Sequence, residues 1–347
     1  MLNLALLNQR GLRLLTGRKT CEDLCVKQWT LSPSKKFFSP SAIYLDGELH
    51  KVTSVQEDTT YTAELQRVQE GVKEYAATIV YQLQDVTIYD GYMYKGAMKY
   101  PLTTAKESFF RSGELENIPE AALACTFVGN LYFGHWVRDD LTLTLAAQQF
   151  AQAVRTAQKL TNHQQEYSHL LNIHSTPVSK ARIKELTIFE DFGQNQYKRE
   201  RYEYIRSKFS TLSSHQTVEG VMLLRGNPRI QRLLVNENQI AEFLRNQGFI
   251  IVDPEKTSAT EIVRQTLGAK IVVGVEGSQL AHGLFTLRES GAILTLQPPY
   301  RFNNVYKECA DCLGLKYSFV VGKQVANGFE INLEDLARTL DMISARS

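Results

Sequence analysis

KIVVGVEGSQLAHGLFTLRESGAILTLQPP, residues 270–299, is the stretch whose reading decides the fold. Ile271, Val272 and Val273 form a short apolar run with β-branched side chains between Ala269 and Gly274, the pattern of a strand buried on both faces. Gly277 and Ser278 then open a segment in which Leu280, Leu284 and Leu287 recur at helical spacing with Phe285 beside them, so the spacing predicts a helix from near Ser278. A second buried strand over 292–296 follows Gly291 and stops at Pro298 and Pro299. Strand, glycine turn, helix N-terminus and strand make half of a parallel α/β unit, whose mouth carries unpaired backbone N–H groups that favour an anion. Every parallel sheet has such turns and most bind nothing, so the glycine alone leaves a phosphate site and a plain connection both open.

Moving upstream, the same alternation continues, and strand-then-helix units over 220–321 predict a parallel, doubly wound domain. A buried strand over 220–224 runs into RGNPRIQR, where Arg225, Arg229 and Arg232 have no acid among them over 221–235. Gly226, Asn227 and Pro228 make a turn between the first two. Guanidinium forks suit phosphate oxygens because they are planar, permanently charged and donate two bonds at once. Asn236 can cap a helix that buries Ile240, Phe243 and Leu244, and 249–252 is the next strand. The basic loop and the glycine turn thus follow two parallel strands, and in an open α/β sheet both lie outside the carboxyl ends. A solvent-facing basic turn explains the arginines alone, but their joint placement with the glycine turn less well.

The other constellation lies at 129–154. A strand over 123–128 ends at Gly129-Asn130, and LYFGHWVRDDLTLTLAAQQFAQAV follows. Leu141, Leu145, Ala146, Phe150 and Val154 place an apolar stripe on a helix, although LTLTL also fits a strand. His135, Trp136, Arg138, Asp139 and Asp140 crowd the strand-to-helix junction, more ionisable groups than a plain core needs. A His with a carboxylate four residues later shares one side of a helical turn, which can orient the ring or poise either group as a base. The bland reading is an aromatic hinge with solvated charges. Further on, 183–189 is a strand, and YKRERYEYIRSKFST is a charged helix that turns Tyr202, Ile205 and Phe209 inward and ends one domain. Before residue 120, strands are expected over 41–45, 52–55, 76–83 and 86–94, with turns at Asp46-Gly47 and Asp90-Gly91; YDGYMYKG there is either an aromatic face for a sugar or an edge hairpin.

A chain of 347 residues exceeds what one core usually organises, so two domains are expected. The net charge of +2, with bases and acids interspersed, gives no nucleic-acid surface. The five cysteines read as reduced thiols, and the CxxC of Cys309 and Cys312 lies on a helical pattern with no partner cluster, so no metal site is expected. No segment reaches the length of a membrane span, and the start has no small-residue cleavage site, so the expected location is cytoplasmic. Leu2, Leu4, Leu6, Leu7, Leu12, Leu14 and Leu15 among Arg10, Arg13, Arg18 and Lys19 give an amphipathic helix that can dock on the inner face of a membrane or pack on the chain's own core.

NLYFGHWVRDD, LLRGNPRIQRLLVNE, DPEKTSATEIVRQTLGAKIVVGVEGSQLAHGLF and ILTLQPP together resemble glycosyltransferase family 61, the capsular polysaccharide biosynthesis protein type. The resemblance covers about residues 126–321, and it rests on the order and spacing of short blocks. It implies a GT-B-like arrangement, a nucleotide-sugar donor and metal-independent inversion, with no cofactor. The family's His-Trp pair falls on His135 and Trp136, its acid on Asp139, its arginines on Arg225 and Arg232, and its Asn-Glu pair on Asn236 and Glu237. Its usual His-Gly-Ala falls on Glu276, Gly277 and Ser278, and the Asn closing that motif on His282. Three positions depart from the pattern: Glu276 replaces a histidine, Thr142 a common proline, and Thr295 a glutamate that many members carry.

The expected fold is therefore α/β, with two Rossmann-like lobes facing a cleft: an N-terminal acceptor-side lobe with extra strands over 1–210, a doubly wound donor lobe over 211–330, and a last helix over 331–347 able to pack back on the N-terminal lobe. The expected activity is transfer of a hexosyl or pentosyl group from a nucleotide-sugar to a saccharide or saccharide-lipid acceptor in surface or capsular polysaccharide synthesis. The alternative is a non-catalytic two-lobed nucleotide- or sugar-binding protein of the same pathway. Asp139 is the first choice of base, then His135, with Asp140 and Glu276 behind them. Arg225, Arg229, Arg232, Glu276, Gly277, Ser278 and His282 are assigned to the donor, and Trp136, Asn130 and Asp140 to the acceptor or the cleft.

Overall fold

Five short apolar strands after residue 218 form one all-parallel sheet in the spatial order Phe249–Val252, Gly220–Leu223, Ile271–Val275, Ala292–Gln297 and Lys316–Val321. The structure is a computed structural model and describes residues 3–106, 114–212, 218–225 and 232–346. The central strands are buried along their whole length, as their unbroken apolar sequence requires. On one face Met222, Val273, Val275, Leu294 and Leu296 share a core with Ile240 and Leu244 of helix Glu237–Asn246 and with Leu336, Leu340 and Ile343 of the last helix, Leu333–Ala345. The opposite face carries helix Ala259–Thr266 and the turn after Val275. Because the chain starts at the second strand of the order, steps to one edge and then returns past its start, the reversal falls between Gly220–Leu223 and Ile271–Val275. That is the topological switch point, where open α/β sheets bind ligands.

The chain divides into two units, Met1–Lys35 with Ala76–Arg201, and Lys36–Tyr75 with Tyr202–Ser347. Two features differ from the lobes read in the sequence. Residues 36–75 belong with the parallel sheet, held there by buried carboxylates: Glu48 accepts the Val321 N–H, and Glu64 accepts the Asn304 N–H at 2.7 Å. Ile43 also bridges Ser318 in parallel, adding to the edge of the same sheet. The last helix packs on this unit's own sheet, where its apolar stripe completes the core.

The first unit is built on a mixed sheet in the order Met98–Pro101, Tyr92–Lys95, Thr78–Tyr89, Lys180–Glu190, Glu116–Leu123, Ala153–Thr156 and Thr176–Val178, with Lys27–Ser32 also on Thr78–Tyr89. The pairing is antiparallel around Thr78–Tyr89 and parallel from Lys180–Glu190 onward. The two strands expected over 76–83 and 86–94 are one long strand with a kink at Asp85 (φ +53°), followed by a hairpin at Asp90-Gly91 (φ +46° and +83°). The sugar-face reading of YDGYMYKG gives way to the hairpin, with Met93 and Tyr94 buried.

Two helices also differ from expectation. LTLTL is helical (Leu141–Ala147), but Val154 has left that stripe for the sheet, where it pairs with Leu123 and Thr176. After Gly277 there is only a short 3₁₀ turn, Ser278–Gly283; Leu280, Leu284 and Leu287 are still buried, and Gly283 lies so close to Val272 that a Cβ there would stand 2.8 Å from it.

Candidate functional site

Each unit places its chemistry at the carboxyl ends of parallel strands. In the first, Glu116–Leu123 leads to Thr126, whose hydroxyl oxygen accepts the Gly129 N–H (2.9 Å) and caps helix Phe127–Leu131. A π-helical turn, Trp136–Asp140, follows, closed by the Leu141 N–H donating to the Trp136 carbonyl. Such a turn adds a residue to the ladder and re-aims the side chains on it. It brings His135 Nδ1 to 2.9 Å from Asp139 Oδ2 and Arg138 Nη2 to 2.8 Å from the same oxygen. Arg138 Nη2 also lies 2.8 Å from His135 Nδ1.

The neighbouring parallel strand, Lys180–Glu190, supplies the other half. Lys198 is fully buried and donates to Asp139 Oδ1 (3.1 Å) and to the Asp191 carbonyl (2.6 Å). Arg201 forms a two-pronged pair with Asp191 (2.8 and 2.9 Å) and donates to the Thr142 carbonyl (3.1 Å). Burial acts to raise the Asp139 pKa, but the Arg138 and Lys198 charges and the His135 and Arg138 hydrogen bonds together hold it well below the usual carboxylate range. Asp139 is thus a fixed anion, while the His135 side chain keeps 31 % of its surface exposed.

Asp140 faces the other way. Burial pushes its carboxyl well above the usual range, despite the Thr126 N–H and hydroxyl donating to Oδ1 at 3.0 and 2.8 Å. A Cβ on Gly129 would stand about 2.1 Å from that carboxyl, which is why a glycine is needed there. Asp140 lines a cavity of about 20 Å³ together with Cys125 and Arg155, and its Oδ2 and the Arg155 Nε have no hydrogen-bond partner among the described residues. Beside the carboxyl, burial lifts the Cys125 thiol to about 12. Trp136 is buried against Phe133 and Tyr167, and Asn130 ties Leu102 to Thr156 through its side chain.

In the second unit Arg225, Arg232, Glu276 and Gly277 converge at the switch point. Arg225 Nη1 donates to the Glu276 carbonyl (2.8 Å), and Arg232 Nη1 to the same carbonyl (3.0 Å) and to Glu276 Oε2 (2.6 Å). Arg301 Nη1 reaches Oε2 as well, at 2.5 Å. Two guanidinium groups, those of Arg232 and Arg301, therefore share one buried carboxylate, and Arg225 joins Arg232 on the backbone carbonyl of the same residue. Burial, and then the Arg232 charge, lower Arg225 to about 10, and its Nε is buried with no partner among the described residues. A Cβ on Gly277 would fall 2.1 Å from Arg225 Nη1, so the glycine is what lets the arginine cross the turn. The Tyr306 hydroxyl donates to the Gly277 carbonyl (3.0 Å), and the Arg225 N–H donates to Glu237. Ser278 is half-buried in the 3₁₀ turn and His282 is buried in it, at 2 % exposure. Arg229 lies outside the described residues.

Four partners escaped the sequence reading. Lys198 and Arg201 carry a signal in retrospect, since they fall on the same helical stripe as Tyr202, Ile205 and Phe209, all buried. Asp191 and Arg301 carry none, because only the tertiary fold brings them to Arg201 and Glu276.

An open parallel sheet with a cationic cluster at its switch point defines an α/β protein equipped to hold an anionic ligand. Residues 133–293 match the family described as Glycosyltransferase 61, a span that includes His135, Asp139, Lys198, Arg225, Arg232 and Glu276. The match supports a glycosyltransferase role in general. No curated protein is similar enough to the chain to be matched with it. Among the described residues, no group of three or more His, Cys, Asp or Glu side chains is placed to hold a metal ion.

Proposed function

We propose that the protein is an inverting glycosyltransferase that moves a sugar from a nucleotide-sugar to a saccharide or saccharide-lipid acceptor in polysaccharide synthesis. The observation that carries this reading is the convergence of Arg225, Arg232 and Arg301 on Glu276 at the switch point. Each guanidinium has five N–H donors, and all three contact Glu276 through Nη1. Glu276 and the nearby Glu237 are two carboxylates against three guanidinium groups, so the cluster keeps an excess of positive charge that favours a diphosphate. In a site of this kind the guanidinium groups absorb the negative charge that builds on the leaving group as the glycosidic bond breaks. The short 3₁₀ turn adds little dipole, so the arginines rather than the helix end hold the donor.

For the acceptor, the geometry favours His135 over Asp139 as the base. A carboxylate held by Arg138, Lys198 and His135 has little affinity for another proton. In the tautomer that donates Nδ1–H to Asp139, instead of accepting from Arg138 Nη2 at Nδ1, His135 Nε2 carries a lone pair and Asp139 fixes the ring. In the proposed step the acceptor hydroxyl gives its proton to Nε2, its oxygen bonds to the anomeric carbon, and the bond from that carbon to the diphosphate breaks, with the electron pair leaving on the diphosphate. Asp139 is a positioning residue in this scheme.

Binding of uridine-, guanosine- and cytidine-based nucleotide-sugars, followed by thermal stabilisation, tests the donor half. One donor should stabilise the wild type, and R225A/R232A should lose that stabilisation while remaining folded. R232K keeps the charge but loses the fork, and turnover should fall about tenfold or more. Unchanged donor binding in R225A/R232A contradicts the assignment.

A further inference from the structure

The N-terminal helix, Leu4–Thr16, lies on the first unit with its apolar side turned away from it. Leu6 is fully buried and packs with Tyr89 and Tyr94, and the buried Gln9 donates Nε2–H to the Ala97 carbonyl at 2.9 Å. On the other side, Leu4, Leu7, Leu12, Leu14 and Leu15 are 58, 38, 41, 89 and 84 % exposed. At 3.6 residues per turn these five leucines fall within an arc of about 160° opposite Leu6 and Gln9. The helix thus gives Leu6 and the Gln9 amide to the protein and five leucines to the outside, unlike a surface helix that serves only its own core.

Such a patch marks an interaction surface, and charge selects the partner. Arg10 borders the leucine arc and Arg18 and Lys19 follow the helix end, whereas Arg13 projects to the opposite side; no carboxylate occurs over 3–21, although the whole chain carries only +2. A second copy of the helix would bring two such cationic sets together without an anion between them. Anionic lipid headgroups complement them, while the acyl boundary takes the leucines. Among the described residues no helix is long and apolar enough to cross a membrane, so this one would lie in the plane of the interface.

We propose that helix Leu4–Thr16 docks the first unit on an anionic lipid surface. The proposal goes beyond the transferase reading and does not depend on it. It is tested with the full chain by co-sedimentation with phosphatidylcholine vesicles, with and without phosphatidylglycerol. The wild type should sediment with the anionic vesicles and be released by salt. L14E/L15E alters the two most exposed leucines and should lower the bound fraction about tenfold or more with no change in melting temperature. R18E/K19E should lose the part of the binding that depends on phosphatidylglycerol. Absence of wild-type binding, or equal binding by L14E/L15E, overturns the proposal. So does a wild-type dimer that L14E/L15E converts to monomer, since a second copy then covers the leucines.

Discussion

His135 and Asp139 lie 2.9 Å apart, and their environments give them different tasks. H135Q should fold normally, because the ring is part-exposed, and should lower kcat about 10²-fold or more with donor binding intact. D139N should lower kcat as well, but it also removes the negative partner of the buried Lys198 and should lose stability. Full turnover in a folded H135Q protein removes the histidine from the chemistry. Asp139 and Asp140 make a second pair of contrasts. A carboxyl lowered below its unfolded pKa contributes stability above the unfolded value and loses it as pH falls through the folded one; a raised carboxyl contributes at low pH and loses it as pH rises through the folded value. The melting deficit of D139N relative to wild type should therefore shrink on acidification. D140N, which keeps Oδ1 for Thr126 and cannot ionise, should instead gain on wild type as pH rises above the ordinary carboxylate range. Melting curves of the three proteins across pH distinguish these trends, and parallel profiles for D139N and D140N contradict both assignments.

At the level of the element, the strands and loops around the arginines were legible because buried parallel strands are nearly continuous apolar runs and their loops carry the polar residues. Arg225 and Arg232 could be placed beside Gly277 from the order of strands alone. The 3₁₀ turn was not legible: its leucine spacing satisfies a helix equally well, and the close approach of Gly283 to Val272 belongs to packing rather than pattern. The π-turn was hidden for a related reason, since His135 and Asp139 four residues apart suit an ordinary helical turn, and the added residue shows only in the backbone. Gly277 offers a test at this scale. In G277A the methyl group meets the far end of the Arg225 side chain, and the backbone φ of +155° is one that alanine rarely adopts, so donor affinity should fall about tenfold, the cost of one charge-assisted hydrogen bond, and the melting temperature should fall as well. Titration calorimetry with the donor measures it, and unaltered affinity would mean that Arg225 does not touch the donor.

Across the whole molecule, the parallel sheet could be read from the sequence, whereas the membership of residues 36–75 could not. That segment is held by single buried acids, Glu48 and Glu64, on the backbone N–H groups of Val321 and Asn304, far away in the chain, and such contacts leave no periodicity behind. Arg301 was missed for the same reason: it follows the last prolines as an ordinary turn residue and acquires meaning only where it meets Glu276. The measurement that bears most directly on the transferase reading is release of nucleotide diphosphate from a panel of nucleotide-sugars, with and without saccharide and saccharide-lipid acceptors. Acceptor-stimulated release by the wild type, lost in R225A/R232A through donor binding and in H135Q through turnover, is the expected result. Tight binding of a nucleotide-sugar with no release under any acceptor condition would contradict it and leave a binding protein in place of an enzyme.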